Sequence, residues 1–291
     1  MRGGDHSSSF VSLAASVFVM LGGTCVNCAF AEPAQSDTQV SSGISANHPA
    51  SEPAPAPPGK GVLTADDEKF LDDLQQRGIR FFIDEADPET GLMPDRGKAN
   101  GGGGDVASIA SVGFGLTALC IGDQRGWVPR QEVYDRCLRV LKFLRDKAPQ
   151  SHGHFYHFLD MRTGKRVWSC EVSNIDTALL MAGVLTARQH FPNTELAQVA
   201  TKLYENVQWG WLVRPDGRMC MGWTPENGFI DAHWDQFNEG TLIFLLGMGS
   251  PTHPLPAKAW NSWKRVPVIE YAGMSFLQCP PLFTQQFTQC W

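Results

Sequence analysis

Polar and apolar positions in this chain fall into long blocks of two kinds. Three blocks carry an apolar stripe at helical spacing with a wet face opposite. One runs to about Asp84 and holds Phe70, Leu74, Ile79, Phe81 and Phe82 among charges. A second, from Arg130 to Lys147, carries Val133, Cys137, Val140, Leu141 and Leu144, and Glu195 to Gln208 is amphipathic in the same way. Three other blocks are almost free of charge: DVASIASVGFGLTALCIG (105–122), the run from Asn174 that contains IDTALLMAGVL, and WDQFNEGTLIFLLGMG (234–249). A helix that is apolar on all sides is buried on all sides. The two kinds of block therefore predict three inner helices (106–121, 174–190 and 238–249) and three outer ones (66–83, 130–146 and 195–208). Thr64 with Asp67, and Ser173 with Asp176, have the spacing of capping boxes, which sets two of the starts.

The order is wet-faced helix then buried helix, three times over, with inner helices starting about 65 residues apart and no matching sequence repeat. Antiparallel pairs with a buried inner ring and a wet outer ring make an all-α fold, an (α/α)6-type toroid of helical hairpins. Six pairs at this spacing need roughly 390 residues, and 228 follow Leu63, so the ring is expected to be incomplete at the C-terminus. Inner helices would bring their positive N-terminal ends to one face. That face would collect Asp105, Glu171, Asp176, Asp235 and Glu239. Residues 154–172, HFYHFLDMRTGKRVWSCEV, differ: two aromatic-rich runs flank Arg162–Lys165 and predict a small β-hairpin over the pocket.

Ahead of the helices, residues 1–31 read as an export signal, with Arg2, an apolar run from Phe10 to Gly22 and the small-x-small site Ala29-Phe30-Ala31. The run is too short for a membrane span, so no stable membrane insertion is expected. Residues 32–63 are a Pro-rich linker unable to bury enough apolar surface to order itself. The folded domain is expected over 64–291 in a periplasmic or secreted protein.

A net charge of −6 gives no footprint for nucleic acid. Six cysteines remain after the signal, scattered without metal-like pairs; an oxidising compartment would permit disulfides, but six cysteines allow 15 connectivities. All nine tryptophans follow residue 126. Their flat faces with a polar edge suit sugar rings as well as a large core. Trp168, Trp223 and Trp234 are candidate sugar platforms, while Trp209, Trp211, Trp260 and Trp263 read as packing. His152, His154 and His157 lack a nearby carboxylate to complete a ligand set, so no metal is expected. No phosphate loop, nucleotide motif or Ser-His-Asp set is visible, and no cofactor is expected.

Several separate stretches carry a family resemblance: SIASVGFGLTAL (108–119), FYHFLDMRTGKRVW (155–168), CEVSNIDTALLMAG (170–183), GSPTHPLP (249–256) and PLFTQQF (281–287). On these the chain, over about 64–291, resembles the glucoamylase-like domain family that includes bacterial endo-β-1,2-glucanases. The resemblance implies an (α/α)6 barrel with an acidic pocket at one end, and hydrolysis of a glucan with inversion at the anomeric carbon. Glu171, Asp176 and Glu239 match positions where the family carries pocket acids, and His157 lies in a family-like stretch as a pocket residue. The family's domain continues past the position of Trp291.

Inverting hydrolysis uses a protonated carboxyl group and an ionised one about 6.5–9.5 Å apart. Asp176, in the first turn of a helix, suits an ionised base or a bond to a sugar hydroxyl; its alternative role is the cap with Ser173. Glu171 would approach from the side, or else form a hairpin salt bridge. Glu239 opens a very apolar helix, where burial would raise its pKa as a general acid requires; the alternative is a buried acid paired with Arg. His157, Trp168, Trp223, Trp234, Asp235 and Asp105 are the expected substrate contacts. The expected function is an exported, monomeric glycoside hydrolase acting on a β-glucan, β-1,2-linked by the resemblance. Two alternatives are a non-catalytic carbohydrate-binding remnant and a glycan-transferring domain as in cyclic glucan synthases.

Overall fold

Thr64, itself extended, starts the first helix. Its hydroxyl accepts from the Asp67 amide at 3.2 Å, and the Asp67 carboxylate accepts from the Thr64 amide at 2.9 Å, the reciprocal cap expected. A computed structural model describes residues 63–98, 100–279, 281–287 and 289–291. The export signal and all but the last residue of the linker lie outside the described residues. The helices are α1 (Ala65–Asp84), α2 (Ile109–Gln124), α3 (Arg130–Asp146), α4 (Asn174–His190), α5 (Glu195–Asn206), α6 (Thr241–Met248), α7 (Ala257–Trp260) and α8 (Leu282–Phe287). Among the described residues no helix is long and apolar enough to cross a membrane.

The two kinds of block sort as the pattern predicts for the first two pairs. The outer helices α1, α3 and α5 bury five of 20, six of 17 and five of 12 residues, whereas α2 and α4 bury ten of 16 and eleven of 17. α2 and α4 meet backbone to backbone. A Cβ added at Gly183 would lie 2.8 Å from the Gly113 Cα, and one at Gly113 would lie 2.7 Å from the Leu180 Cα. Two glycines facing each other let the inner helices approach more closely than any side chain would allow, and Leu116, Leu119, Leu180 and Met181 seal the contact as fully buried side chains.

The third apolar block departs from expectation. α6 starts at Thr241 instead of near 238, and only Leu242, Ile243, Phe244 and Gly247 are buried in it; Leu245 is 56% exposed. The late start has a local cause. The Asn238 side chain accepts from the Gly240 amide at 2.9 Å, and a turn closes from the Thr241 amide to the Asn238 carbonyl at 3.3 Å. Such side-chain bonds compete with helix formation. α2 also starts late, at Ile109, because residues 106–108 are extended and paired.

Nine short strands among the described residues complete the fold. These are β1 (Val106–Ser108), β2 (Gln150–Ser151), β3 (His154–Phe155), β4 (Phe158–Asp160), β5 (Val172–Ser173), β6 (Gly222–Thr224), β7 (Gly228–Phe229), β8 (Val268–Tyr271) and β9 (Met274–Leu277). All named pairings are antiparallel: β1 with β4, β2 with β3, β5 with β6 and β6 with β7, and β8 with β9. The expected hairpin over 154–172 is thus only partly formed. Its turn exists, with the Asp160 carboxylate accepting from the Thr163 amide at 2.7 Å and the Gly164 amide bonding the Asp160 carbonyl at 2.8 Å. Only two isolated bridges join its arms, Leu159 with Arg166 and Tyr156 with Val172, while the strands themselves pair elsewhere, β4 with β1 and β5 with β6. The returning arm breaks at Trp168 and Ser169, whose φ angles of 54° and 50° cannot continue a ladder. The six cysteines from Cys120 onward are all free thiols.

Candidate active site

The site is built on the start of α4. Ser173 caps the helix, its hydroxyl accepting from the Asp176 amide at 3.3 Å and donating to the Asp176 carboxylate at 2.5 Å. Thr177 donates to the Ser173 carbonyl at 2.6 Å and accepts from the Phe155 amide at 3.0 Å, tying β3 to the helix. Asn174 donates to the Cys220 carbonyl at 2.6 Å and accepts from the Trp234 indole at 2.8 Å. The turn that enters α4 is therefore fixed from three directions before any substrate is considered.

His157 stands between two carboxylates on this frame. Its Nδ1 lies 2.9 Å from Glu171 Oε1 and its Nε2 lies 3.5 Å from Asp176 Oδ1. Its backbone is pinned as well, its amide on the Glu171 carbonyl at 2.9 Å and its carbonyl accepting from the Ile109 amide at 3.1 Å. Phe158 stacks on the imidazole at a centroid distance of 3.7 Å. Asp176 thus fills the capping role weighed from the sequence with one oxygen, and its other oxygen faces the imidazole. Glu171 likewise has an ion-pair partner, but that partner is a site residue.

Burial alone would pull His157 down. The charges of Asp176 and Glu171, the Glu171 hydrogen bond and more distant Asp95 outweigh it and hold the imidazole up at about 9. Burial pushes Asp176 up and prevails over the nearby His157 and the Ser173 bond. Glu171 is also opposed by burial, yet its bond and charge contact with His157 hold it below the usual carboxylate range. This reverses one expectation: the helix dipole at Asp176 is outweighed by burial, and Glu171 is the acid held ionised. Their side chains are 10% and 29% exposed respectively, so water reaches Glu171 and scarcely reaches Asp176.

Glu239 lies in the turn before α6. Burial raises its pKa, and the charge of Asp176 raises it further. Among the described residues it makes no ion pair with an Arg, so the paired-acid alternative is not what is found. Trp234 packs beneath this turn: a Cβ added at Gly240 would meet its ring at 3.0 Å.

Other expected contacts spread out. Trp168 is 68% exposed with its ring edge against Phe158 at 5.1 Å. Trp223, on β6, is half-buried and packs against Trp211 at 5.5 Å. Trp234 corrects the reading of an exposed platform, being 7% exposed with its indole N–H spent on Asn174. Asp105 is exposed at the edge of β1, not at a helix mouth, because pairing with β4 keeps 106–108 extended. Asp235 is exposed and outside α6, its carbonyl accepting from the Lys264 amide at 2.8 Å. The three histidines do not gather. His152 stacks on Trp211, and His154 is buried against the Gln208 carbonyl at 3.3 Å, with burial pulling its pKa down to about 4.

Sequence reasoning missed Asp95. Its amide bonds the Val106 carbonyl at 2.9 Å, and its charge acts on both His157 and Asp176. Lying between Pro94 and Arg96 in a Gly-rich loop, it carries no periodic or capping signal. Arg166 was missed too, since Arg162–Lys165 beside it read as turn.

The sequence model of the family described as "Putative glucoamylase" matches residues 231–291. An exo beta-1,2-glucooligosaccharide sophorohydrolase (non-reducing end) of Parabacteroides distasonis is 28% identical over 214 residues, 68% of this chain and 29% of that protein. The solved endo-beta-1,2-glucanase of Chitinophaga pinensis, in complex with sophorotriose and glucose, superposes with a TM-score of 0.64 at 25% identity, over 74% of this chain and 55% of that one. A solved beta-1,2-glucanase of Parabacteroides distasonis gives 0.61 at 30% identity, over 69% of this chain and 30% of that one. The chain spans less than two thirds of each of these relatives. The resemblance read from the sequence holds: the chain is a relative of the glucoamylase-like proteins, with β-1,2-glucan hydrolases among its homologues.

Proposed function

We propose that this chain carries the acid cluster of an exported glycoside hydrolase acting on β-1,2-glucan by inverting acid/base hydrolysis. The observation that carries the reading is the division of labour among three carboxyl groups at the mouths of α4 and α6: burial favours a proton on Glu239, while His157 favours charge on Glu171. Pairs of titratable groups pushed in opposite directions mark acid and base assignments. In this reading Glu239 gives its proton to the glycosidic oxygen as the C–O bond breaks. Glu171 takes a proton from the water that attacks the anomeric carbon from the opposite face. Asp176, with both oxygens engaged, holds His157 in place. The helix pairs form part of an α/α ring whose rim presents these acids, and Trp168 and Trp223 edge the sugar site.

The test is incubation of purified protein with linear β-1,2-glucan, followed by product sizing and by NMR of the newly formed anomer. Shorter β-1,2-linked oligosaccharides released first as the α-anomer are expected. Binding of the glucan without turnover would favour a carbohydrate-binding module, and transfer to a second sugar would favour a transferase. Absence of both binding and turnover would overturn the reading.

A further inference from the structure

Trp168 and Ser169 both have left-handed backbone conformations, with φ of 54° and 50°. For residues other than Gly this conformation is strained, so something must hold the turn. Arg166 supplies the hold. Its Nε donates to the Cys170 carbonyl at 2.5 Å and its Nη2 to the Ser169 carbonyl at 2.6 Å. The same guanidinium pairs in bidentate fashion with Glu226, at 2.6 and 3.0 Å, and lies over the Tyr156 ring at 4.8 Å from its centroid. Its side chain is only 16% exposed although Glu226 is 52% exposed. Glu226 belongs to the turn between β6 and β7, so one side chain joins two loops that are 60 residues apart in sequence.

What the clamp holds is informative. On one side the turn presents the Trp168 indole to solvent, where a large aromatic side chain gains nothing from burial. On the other side it leads directly into Glu171. Trp168 abuts Phe158, and Phe158 stacks on His157. A strained turn, held by two bonds from a guanidinium that is itself locked by two more, exposes an indole beside the acid cluster; this is the arrangement expected of a preorganised contact, because strain of this kind persists only where surrounding bonds over-determine it.

The geometry points to Arg166, locked by Glu226, as a positioning residue that fixes Trp168 as a stacking platform for a pyranose ring next to the scissile bond. This inference rests on the proposed glucan reading for the identity of the ligand, but the clamp itself does not. Two measurements separate them. Hydrogen exchange of the 167–171 segment should accelerate about tenfold or more in Arg166→Gln and less in Glu226→Gln, which leaves the carbonyl bonds in place. Unchanged exchange in both variants would refute the clamp whatever the activity, and Glu226→Gln carries the test if Arg166→Gln does not fold.

The second measurement is a double-mutant cycle on β-1,2-gluco-oligosaccharides. Trp168→Ala and Arg166→Gln should each raise KM about fivefold or more, and the double variant should be no worse in KM than Arg166→Gln alone. Fully multiplicative effects, or a Trp168→Ala variant with wild-type KM, would overturn the platform. Wild-type protein that neither binds nor cleaves these oligosaccharides would refute the functional reading and the platform together, with the exchange result still deciding the clamp.

Discussion

The mouths of α4 and α6 look alike in sequence and differ in the fold. Each has an acid at the entrance of a nearly charge-free helix, Asp176 in the first turn of α4 and Glu239 just before α6. At α4 the carboxyl group of Asp176 is used on both oxygens, by the Ser173 hydroxyl and by His157. At α6 the cap residue is Gly240, which offers no side-chain bond, and the buried Glu239 carboxyl has no ion-pair partner among the described residues. Burial pushes both carboxyl groups towards the neutral form, and only Asp176 has a nearby imidazole and a capping hydroxyl to oppose the push. The same local signal therefore yields a hydrogen-bonded acid at one helix and an acid without an ion pair at the other, and in the proposed mechanism the second is the proton donor.

The largest expected effect breaks this contrast at its functional end. Glu239→Gln keeps the shape and removes the proton, so turnover of β-1,2-glucan should fall by at least about 10²-fold, with the melting temperature nearly unchanged because the amide oxygen can still accept from the residue's own backbone N–H. Wild-type turnover in this variant would remove Glu239 from the mechanism. A large stability loss with it would show a hidden structural partner.

Packing gives the next largest effect. Gly183→Ala would drive a Cβ against the Gly113 backbone, which cannot move aside as a flexible side chain would. Denaturant titration should show a loss of about 1–3 kcal/mol. A neutral outcome would mean that α2 and α4 are not in backbone contact.

His157 sharpens the contrast through pH. Its folded pKa of about 9 lies above the ordinary histidine value, so its stabilising contribution is complete below about pH 6.5 and is lost as pH rises through about 9. The difference in stability between wild type and His157→Gln should therefore shrink across that window, by on the order of 2 kcal/mol. A difference that does not change with pH would mean that the imidazole is neutral between its two acids.

How much of this was legible in the sequence follows from the range of the interactions. The alternation of wet and apolar blocks placed α1 to α5 because helical periodicity is local; the cap at Ser173 fixed one start to the residue and that at Thr64 another to within one residue. The α6 start was not legible, since the Asn238 turn overrides an apolar run that by itself reads as helix. Asp105 was misplaced because its strand exists only through pairing with β4, a partner some 50 residues away. Glu171, Asp176 and Glu239 could be singled out by type and position. That His157 would sit between two of them depended on a long-range fold-back, with a contact across 14 residues to Glu171. Trp234 read as a loop platform because nothing local announces that Asn174 will take its indole N–H.

The smallest expected effect tests the other difference between the two helices, their outer faces. α4 is sealed on nearly all sides, but on α6 Leu245 is 56% and Met248 39% exposed. Leu245→Ser should therefore change stability by no more than about 0.5 kcal/mol, the range for a surface site that takes part in no cap, network or core contact, whereas its buried neighbours Ile243 and Phe244 have packing to lose. The measurement is a chemical denaturation midpoint at two protein concentrations. A loss above about 1 kcal/mol that grows with concentration would mean that a second copy covers this face in solution. An equal loss at both concentrations would mean that the chain itself covers it, and the contrast between a sealed α4 and a half-open α6 would then fail.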